Sequence, residues 1–131
     1  MTSEMAAWTD ATPSEAPRKA SSRPVDLVHL SRYTLGDRAL EREVLELFSA
    51  QGSVYLERLR GAPSDMEWQH AAHSLKGSAK AIGAWRVASA CERAEAVSGE
   101  ALAAARTLHL RDLEASLQEA EIYIGALLAD R

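Results

Sequence analysis

The sequence predicts an all-α fold: an antiparallel up-down four-helix bundle with a short extra helix at its N-terminal end. Three observations carry this. Apolar residues recur at three- and four-residue spacings from Asp26 onward, and no stretch alternates with the period of a strand. Alanine and leucine dominate the 47% hydrophobic content while aromatic residues make up only 5%, and both are strong helix formers. The periodic segments are separated by short Gly-, Pro- and Ser-containing turns, which favour antiparallel neighbours. A length of 131 residues suits one domain with a real core.

Residues 1–24 are rich in Ala, Ser and Thr and are broken by Pro13, Pro17 and Pro24. They read as a disordered tail, with Trp8 as its one residue able to dock. Residues 25–131 form the bundle. Asp26 is positioned as an N-cap for a short helix through Leu27, Leu30 and Tyr33. Leu35-Gly36 ends that helix, glycine being the usual stop. Asp37 caps the next helix, which runs to about Arg60 with Leu40, Val44, Leu47, Phe48, Tyr55 and Leu59 as its apolar positions; Gly52 interrupts it mildly. Gly61-Ala62-Pro63-Ser64 is a turn. Ser64 or Asp65 opens a third helix that continues to Ile82, where Gly83 ends or kinks it. A fourth helix spans about Trp85 to Val97, with Val87, Ala90, Cys91, Ala94 and Val97 facing inward. The last helix, about Glu100 to Ala129, carries its inward stripe on Leu110, Leu113, Leu117, Ala120, Ile124 and Leu127.

Composition excludes several functions. The net charge is -4 and the pI about 5.6, with no basic patch interleaved with aromatics, so nucleic acid is not an expected partner. No apolar run reaches the length of a membrane span. The N-terminus carries no basic region followed by an apolar segment, so a cytoplasmic location is expected. A single cysteine, Cys91, rules out an internal disulfide and a cysteine-based zinc site, and reads as a small buried hydrophobe. His70 and His73 lie three apart, but nothing supplies further ligands at metal-binding spacing. No metal site and no cofactor are expected. His29 and His109 read as structural or surface residues.

The stretch from His73 to Ala84 is the informative one. On a helix, Leu75, Ala79 and Ile82 share a face with Trp68, Ala71 and Ala72, whereas Gln69, His73, Lys76, Gly77 and Lys80 share the opposite one. The histidine therefore points to water. Beside it stands Gly77, which costs a helix interior about 1 kcal/mol relative to alanine. Neutral imidazole is nucleophilic. Phosphoryl transfer needs chiefly positioning and cancellation of charge on the phosphoryl oxygens. Lys76, one turn on, supplies a cation; Lys80 adds positive potential; Gly77 leaves the ring approachable by another protein.

His73-Ser74-Leu75-Lys76-Gly77-Ser78-Ala79, followed by Ile82-Gly83-Ala84, resembles the signature of the histidine phosphotransfer (HPt) domain family of phosphorelays, and the resemblance spans about residues 25–131. It implies a four-helix bundle that carries a phosphoryl group between receiver-domain aspartates. His73 matches the phosphorylated histidine, modified on Nε2. Lys76 matches the residue that steadies the phosphoryl group, and Gly77 the one that admits the receiver. Glu95 on the next helix matches a position that hydrogen-bonds the other ring nitrogen, with Glu92 as the alternative. Gln69, His70, Lys80, Ile82 and Ala84, and residues of the 35–47 segment, are the expected receiver contacts. The expected partners are response-regulator receiver domains and a hybrid sensor histidine kinase. Any Mg²⁺ belongs to the receiver. The chain contains no ATP-binding motif and is expected to be a phosphocarrier and not an enzyme. It is expected to be a monomer, since its inward stripes can be buried within one bundle. The competing reading is a helical interaction module that binds kinase or regulator domains without being phosphorylated.

Overall fold

Most helices start where a side-chain oxygen receives their first free N–H groups, since those groups have no partner inside the helix. The computed structural model describes residues 23–130. Asp26 accepts from the N–H groups of Val28 and His29, both at 3.1 Å, and opens α1 (Leu27–Thr34). Asp37 accepts from Leu40 N–H at 3.0 Å and opens α2 (Arg38–Arg60). Ser64 accepts from Glu67 N–H at 3.2 Å and opens α3 (Asp65–Ile82). α4 (Trp85–Glu95) follows Ala84 without a side-chain cap. At α5 (Gly99–Ala129) the N-cap residue, Ser98, makes no side-chain bond; Asp65 of α3 instead accepts from Gly99 N–H at 2.7 Å. The described residues contain no strand.

The four long helices form a ring of neighbours. α2 packs on α3 and α5, α4 packs on α3 and α5, and α1 lies against α2 and α3. The core is filled by Phe48, Leu59, Trp68, Leu75, Val87 and Leu113, all essentially inaccessible to water. Trp68 donates its indole N–H to Ala94 O at 2.8 Å, which ties α3 to α4. Arg106 lies over the Trp68 ring, 5.0 Å from its centroid, and donates to the carbonyls of Leu59 and Ala62 at 3.0 and 2.9 Å. A cation thus satisfies carbonyls at the negative end of α2.

α1 is held at the far end of α3. Asp26 N–H donates to Gly83 O at 2.9 Å, and Trp85 donates its indole N–H to Asp26 Oδ2 at 2.9 Å. His29 meets Trp85 edge-on at 4.9 Å, so its role here is packing. Cys91 is fully buried, and burial pushes its thiol up to about 12, which leaves it unreactive at neutral pH.

Only part of the apolar set of α2 faces inward. Leu45, Phe48, Leu56 and Leu59 are buried together with Glu41 and Gly52, whereas Leu40 and Leu47 are exposed. Two apolar stripes run side by side along this helix, and polar contacts decide between them. Thr34 Oγ1 lies 3.3 Å from Glu41 Oε2, placing a carboxylate on the inner face. Gly52 abuts Leu117 of α5 so closely that an added Cβ would lie 3.1 Å from Leu117 Cδ2. The tail expected over residues 1–24, with Trp8, lies outside the described residues apart from Arg23 and Pro24.

Candidate functional site

The site is a face of α3 with one supporting residue from α4. Burial of Trp68, Ala72, Leu75 and Ala79 fixes the rotation of α3, and that rotation turns His73 outward with its side chain 68% exposed. On α4, Ala90, Cys91 and Ala94 are buried against the core. The next residue, Glu95, therefore stands at the edge of the α3–α4 contact and reaches His73. Glu95 Oε2 lies 2.8 Å from His73 Nδ1, and Glu95 Oε1 lies 2.8 Å from Lys76 Nζ. Glu92, the alternative, makes neither contact and is exposed.

One carboxylate thus braces two side chains. An ionised carboxylate only accepts, so Nδ1 carries the proton and donates. The other nitrogen, Nε2, keeps its lone pair on the exposed side of the ring. The Lys76 ammonium, and then His73, hold the Glu95 carboxyl below its ordinary 4.5 against the opposing effect of burial. In return Glu95 raises the Lys76 ammonium above its ordinary 10.5. A depressed carboxyl contributes stability above its unfolded value and loses it as pH falls through the folded one. A raised ammonium contributes below its unfolded value and loses it as pH rises through the folded one. The brace is therefore expected to stay intact between pH 4.5 and 10.5. An NMR titration of the Glu95 carboxyl carbon checks this, and a midpoint above 4.5 would contradict it.

Lys76, expected to supply a cation, is engaged with Glu95, and its side chain is only 17% exposed. Gly77 lies beyond it on the open face, and a Cβ built there meets nothing within 4 Å. No packing among the described residues requires this glycine.

The expected contact residues divide. His70 and Lys80 are exposed and Gln69 half-buried on the histidine's side of α3. Ile82 and Ala84 are buried, at 3% and 0% exposure, and are unavailable for docking. Ile82 completes the inner stripe of α3, and Ala84 is sealed in where the chain turns beside Asp26. The expected 35–47 segment does offer exposed apolar residues, Leu35, Leu40 and Leu47; Val54 on α2 and Met66 on α3 itself are exposed as well. Leu47 and Val54 flank Gln51 on one stripe, and Ser78 Oγ lies 3.4 Å from Gln51 Oε1, so this stripe borders the histidine helix. The sequence signal for it is the second apolar period of α2. Among the described residues no group of three or more His, Cys, Asp or Glu side chains could hold a metal ion.

A family model described as Hpt domain matches residues 43–128. The chain belongs to the Hpt domain family. The match runs from the second turn of α2 nearly to the end of α5 and contains His73, Lys76, Gly77 and Glu95. The crystal structure of the histidine phosphotransferase ShpA from Caulobacter crescentus is similar to this Hpt chain, with 30% sequence identity and a TM-score of 0.63, over 82% of this chain and 92% of that one. Comparison with curated proteins gives no match. Hpt domains serve phosphorelay signalling between kinases and response regulators. No helix among the described residues is long and apolar enough to cross a membrane.

Proposed function

We propose that this Hpt protein accepts a phosphoryl group on His73 Nε2 from a receiver-domain aspartate and passes it to the aspartate of another response regulator. The observation that carries this reading is the Glu95 brace on His73 Nδ1. It selects the tautomer whose free lone pair is on the exposed nitrogen.

In the forward step the Nε2 lone pair forms an N–P bond as the P–O bond to the receiver's aspartate breaks, and that aspartate leaves as a carboxylate. The proton on Nδ1 stays, so the phosphorylated ring is cationic. Glu95 lies against it and offsets that charge. Lys76, held beside the ring, balances negative charge on the phosphoryl oxygens. The return step reverses these changes on the second receiver. Mg²⁺ is carried by the receiver. The protein works in the cytoplasm as a carrier without kinase chemistry of its own, supplied by a hybrid sensor kinase.

Receivers dock over Gly77, against Gln69, His70 and Lys80 on α3 and the exposed Leu40, Leu47 and Val54 on α2. A transient encounter of this kind buries less than about 1,200 Å².

The test is phosphorylation by a phosphorylated receiver. Acid-labile, base-stable label is expected on the native protein and none on His73→Gln. Label that persists in the variant would move the site elsewhere. The brace has its own signature. Lys76→Ala is expected to slow transfer about tenfold to a hundredfold, by removal of one preorganised charge, with docking affinity retained. Glu95→Ala, which frees both His73 and Lys76, is expected to slow it as much or more. Glu95→Gln keeps an acceptor for Nδ1–H and is expected to lie between Glu95→Ala and the native protein. Stopped-flow transfer rates give the order, and equal rates for all three variants and the native protein would remove Glu95 and Lys76 from the mechanism.

A further inference from the structure

α5 carries two faces. Its inner face is accounted for by Leu102, Leu113, Leu117, Ala120 and Ile124, which are buried in the bundle. Its outer face is not. Leu108 and Ile122 lie there 58% and 67% exposed, two turns of the helix on either side of Ala115, which is also exposed. A surface helix normally has one apolar stripe; this one has a second with no partner among the described elements.

The outer face reads the same in both directions. At about 100° per residue, all positions within about 40° of the Ala115 direction are exposed. Taken outward from Ala115, they fall into pairs. Arg111 and Glu119 lie four residues to either side, Leu108 and Ile122 seven, Ala104 and Ala126 eleven, and Ala101 and Ala129 fourteen. Each apolar residue mirrors an apolar one, each small residue a small one, and the single cation mirrors the single anion.

A two-fold symmetric interface needs this property, because residue i of one copy meets residue j of the other and the reverse. We propose that two copies of this chain associate through the outer faces of α5, antiparallel and crossing at Ala115. Leu108 of each copy then meets Ile122 of the other. Arg111 of each meets Glu119 of the other, giving two ion pairs about the axis. Alanine at the remaining positions lets the helices approach to the short end of the usual 8–10 Å. Glu119 pairs with Arg86 of its own chain through Oε2 at 2.6 Å, but a carboxylate accepts on both oxygens, so it serves both arginines. A parallel pairing would place Arg111 on Arg111 and Glu119 on Glu119, which sets the direction.

The paired segment is about 42 Å long. It buries on the order of 1,000 Å², near the lower end for specific association, so the dimer is dissociable. It departs from the monomer expected from the inward stripes alone. α5 packs on α2 and α4, with α3 diagonally across the bundle. Both His73 faces therefore stay open in the dimer.

The test is analytical ultracentrifugation of the full chain over a concentration series, independent of any phosphotransfer reading. The native protein is expected to shift from monomer to dimer with concentration. Arg111→Glu and Glu119→Arg are each expected to lose the dimer, since each alone sets like charges face to face. Mixed one to one, they are expected to regain it as a heterodimer, because both cross pairs are then opposite in sign. A native protein that stays monomeric throughout, single variants that still dimerise, or a mixture that stays monomeric would each overturn the proposal. If circular dichroism shows Glu119→Arg unfolded through loss of the Arg86 pair, Leu108→Glu takes its place. It must be monomeric where the native protein is dimeric, and a dimer there overturns the proposal equally.

Discussion

Gly77→Gln is expected to slow phosphoryl transfer by at least about a hundredfold while leaving the bundle folded and slightly more stable. The rate loss follows from geometry. In-line attack needs the receiver's phosphoryl group within van der Waals reach of Nε2, and displacing it by about 1 Å costs on the order of a hundredfold. A glutamine one turn from His73 stands where the receiver's surface must come. The stability gain follows from the empty space: a Cβ at Gly77 meets nothing within 4 Å, so a better helix former contributes about 0.5–1 kcal/mol. Transfer kinetics and thermal unfolding of the one variant check both halves. Native-rate transfer by Gly77→Gln would show that receivers do not approach over this position. A loss of stability would show that the glycine serves the fold.

Gly83→Ala is expected to have the opposite profile: a loss of about 2–4 kcal/mol of stability, with transfer by the remaining folded protein little changed. Gly83 has φ +79°, a left-handed conformation that costs a residue bearing a Cβ about 1–2 kcal/mol. The added Cβ would also lie 2.8 Å from Asp26 Cβ and 3.0 Å from Asp26 O. Neither atom is the loose end of a flexible side chain. Relief requires α1 to move, and Asp26 then loses its backbone bond to Gly83 and its bond from Trp85, each contributing about 1 kcal/mol. Denaturant midpoints measure the effect. A midpoint equal to that of the native protein would contradict the description of the α1–α3 joint.

The two glycines show how far the sequence could be read. They stand six residues apart, Gly77 inside α3 and Gly83 just past its end, and both look like helix-breaking residues. Gly77 was interpretable because its neighbours His73 and Lys76 supply the chemistry that explains it. Gly83 was interpretable as a stop, but its contact with Asp26 joins segments far apart in the chain, and no local pattern encodes it. The helices themselves were legible, since Asp26, Asp37 and Ser64 are strong N-caps and the stripes of α3 and α5 are unambiguous. The face of α2 was not. Glu41 on its inner side defeats a rule that sorts by hydrophobicity, and apolar spacing alone does not say that Leu40 and Leu47 face outward. Ile82 and Ala84 are expected receiver contacts only through adjacency to the histidine motif; helical rotation already sets Ile82 on the inner face with Leu75 and Ala79, and the structure buries both. At the site, the sequence supplied Glu95 as a partner for His73 through family resemblance. Its simultaneous pairing with Lys76 depends on the register between α3 and α4, which only packing determines.

In the proposed relay Glu95 reserves Nδ1 and leaves Nε2 of His73 to take the phosphoryl group. The most direct measurement is ¹⁵N and ³¹P NMR of the histidine-labelled protein after phosphorylation by a receiver. Phosphorus coupling is expected to Nε2 of His73 alone, with the Nδ1 proton retained and hydrogen-bonded. Phosphorus on Nδ1, or on any other histidine, would contradict it.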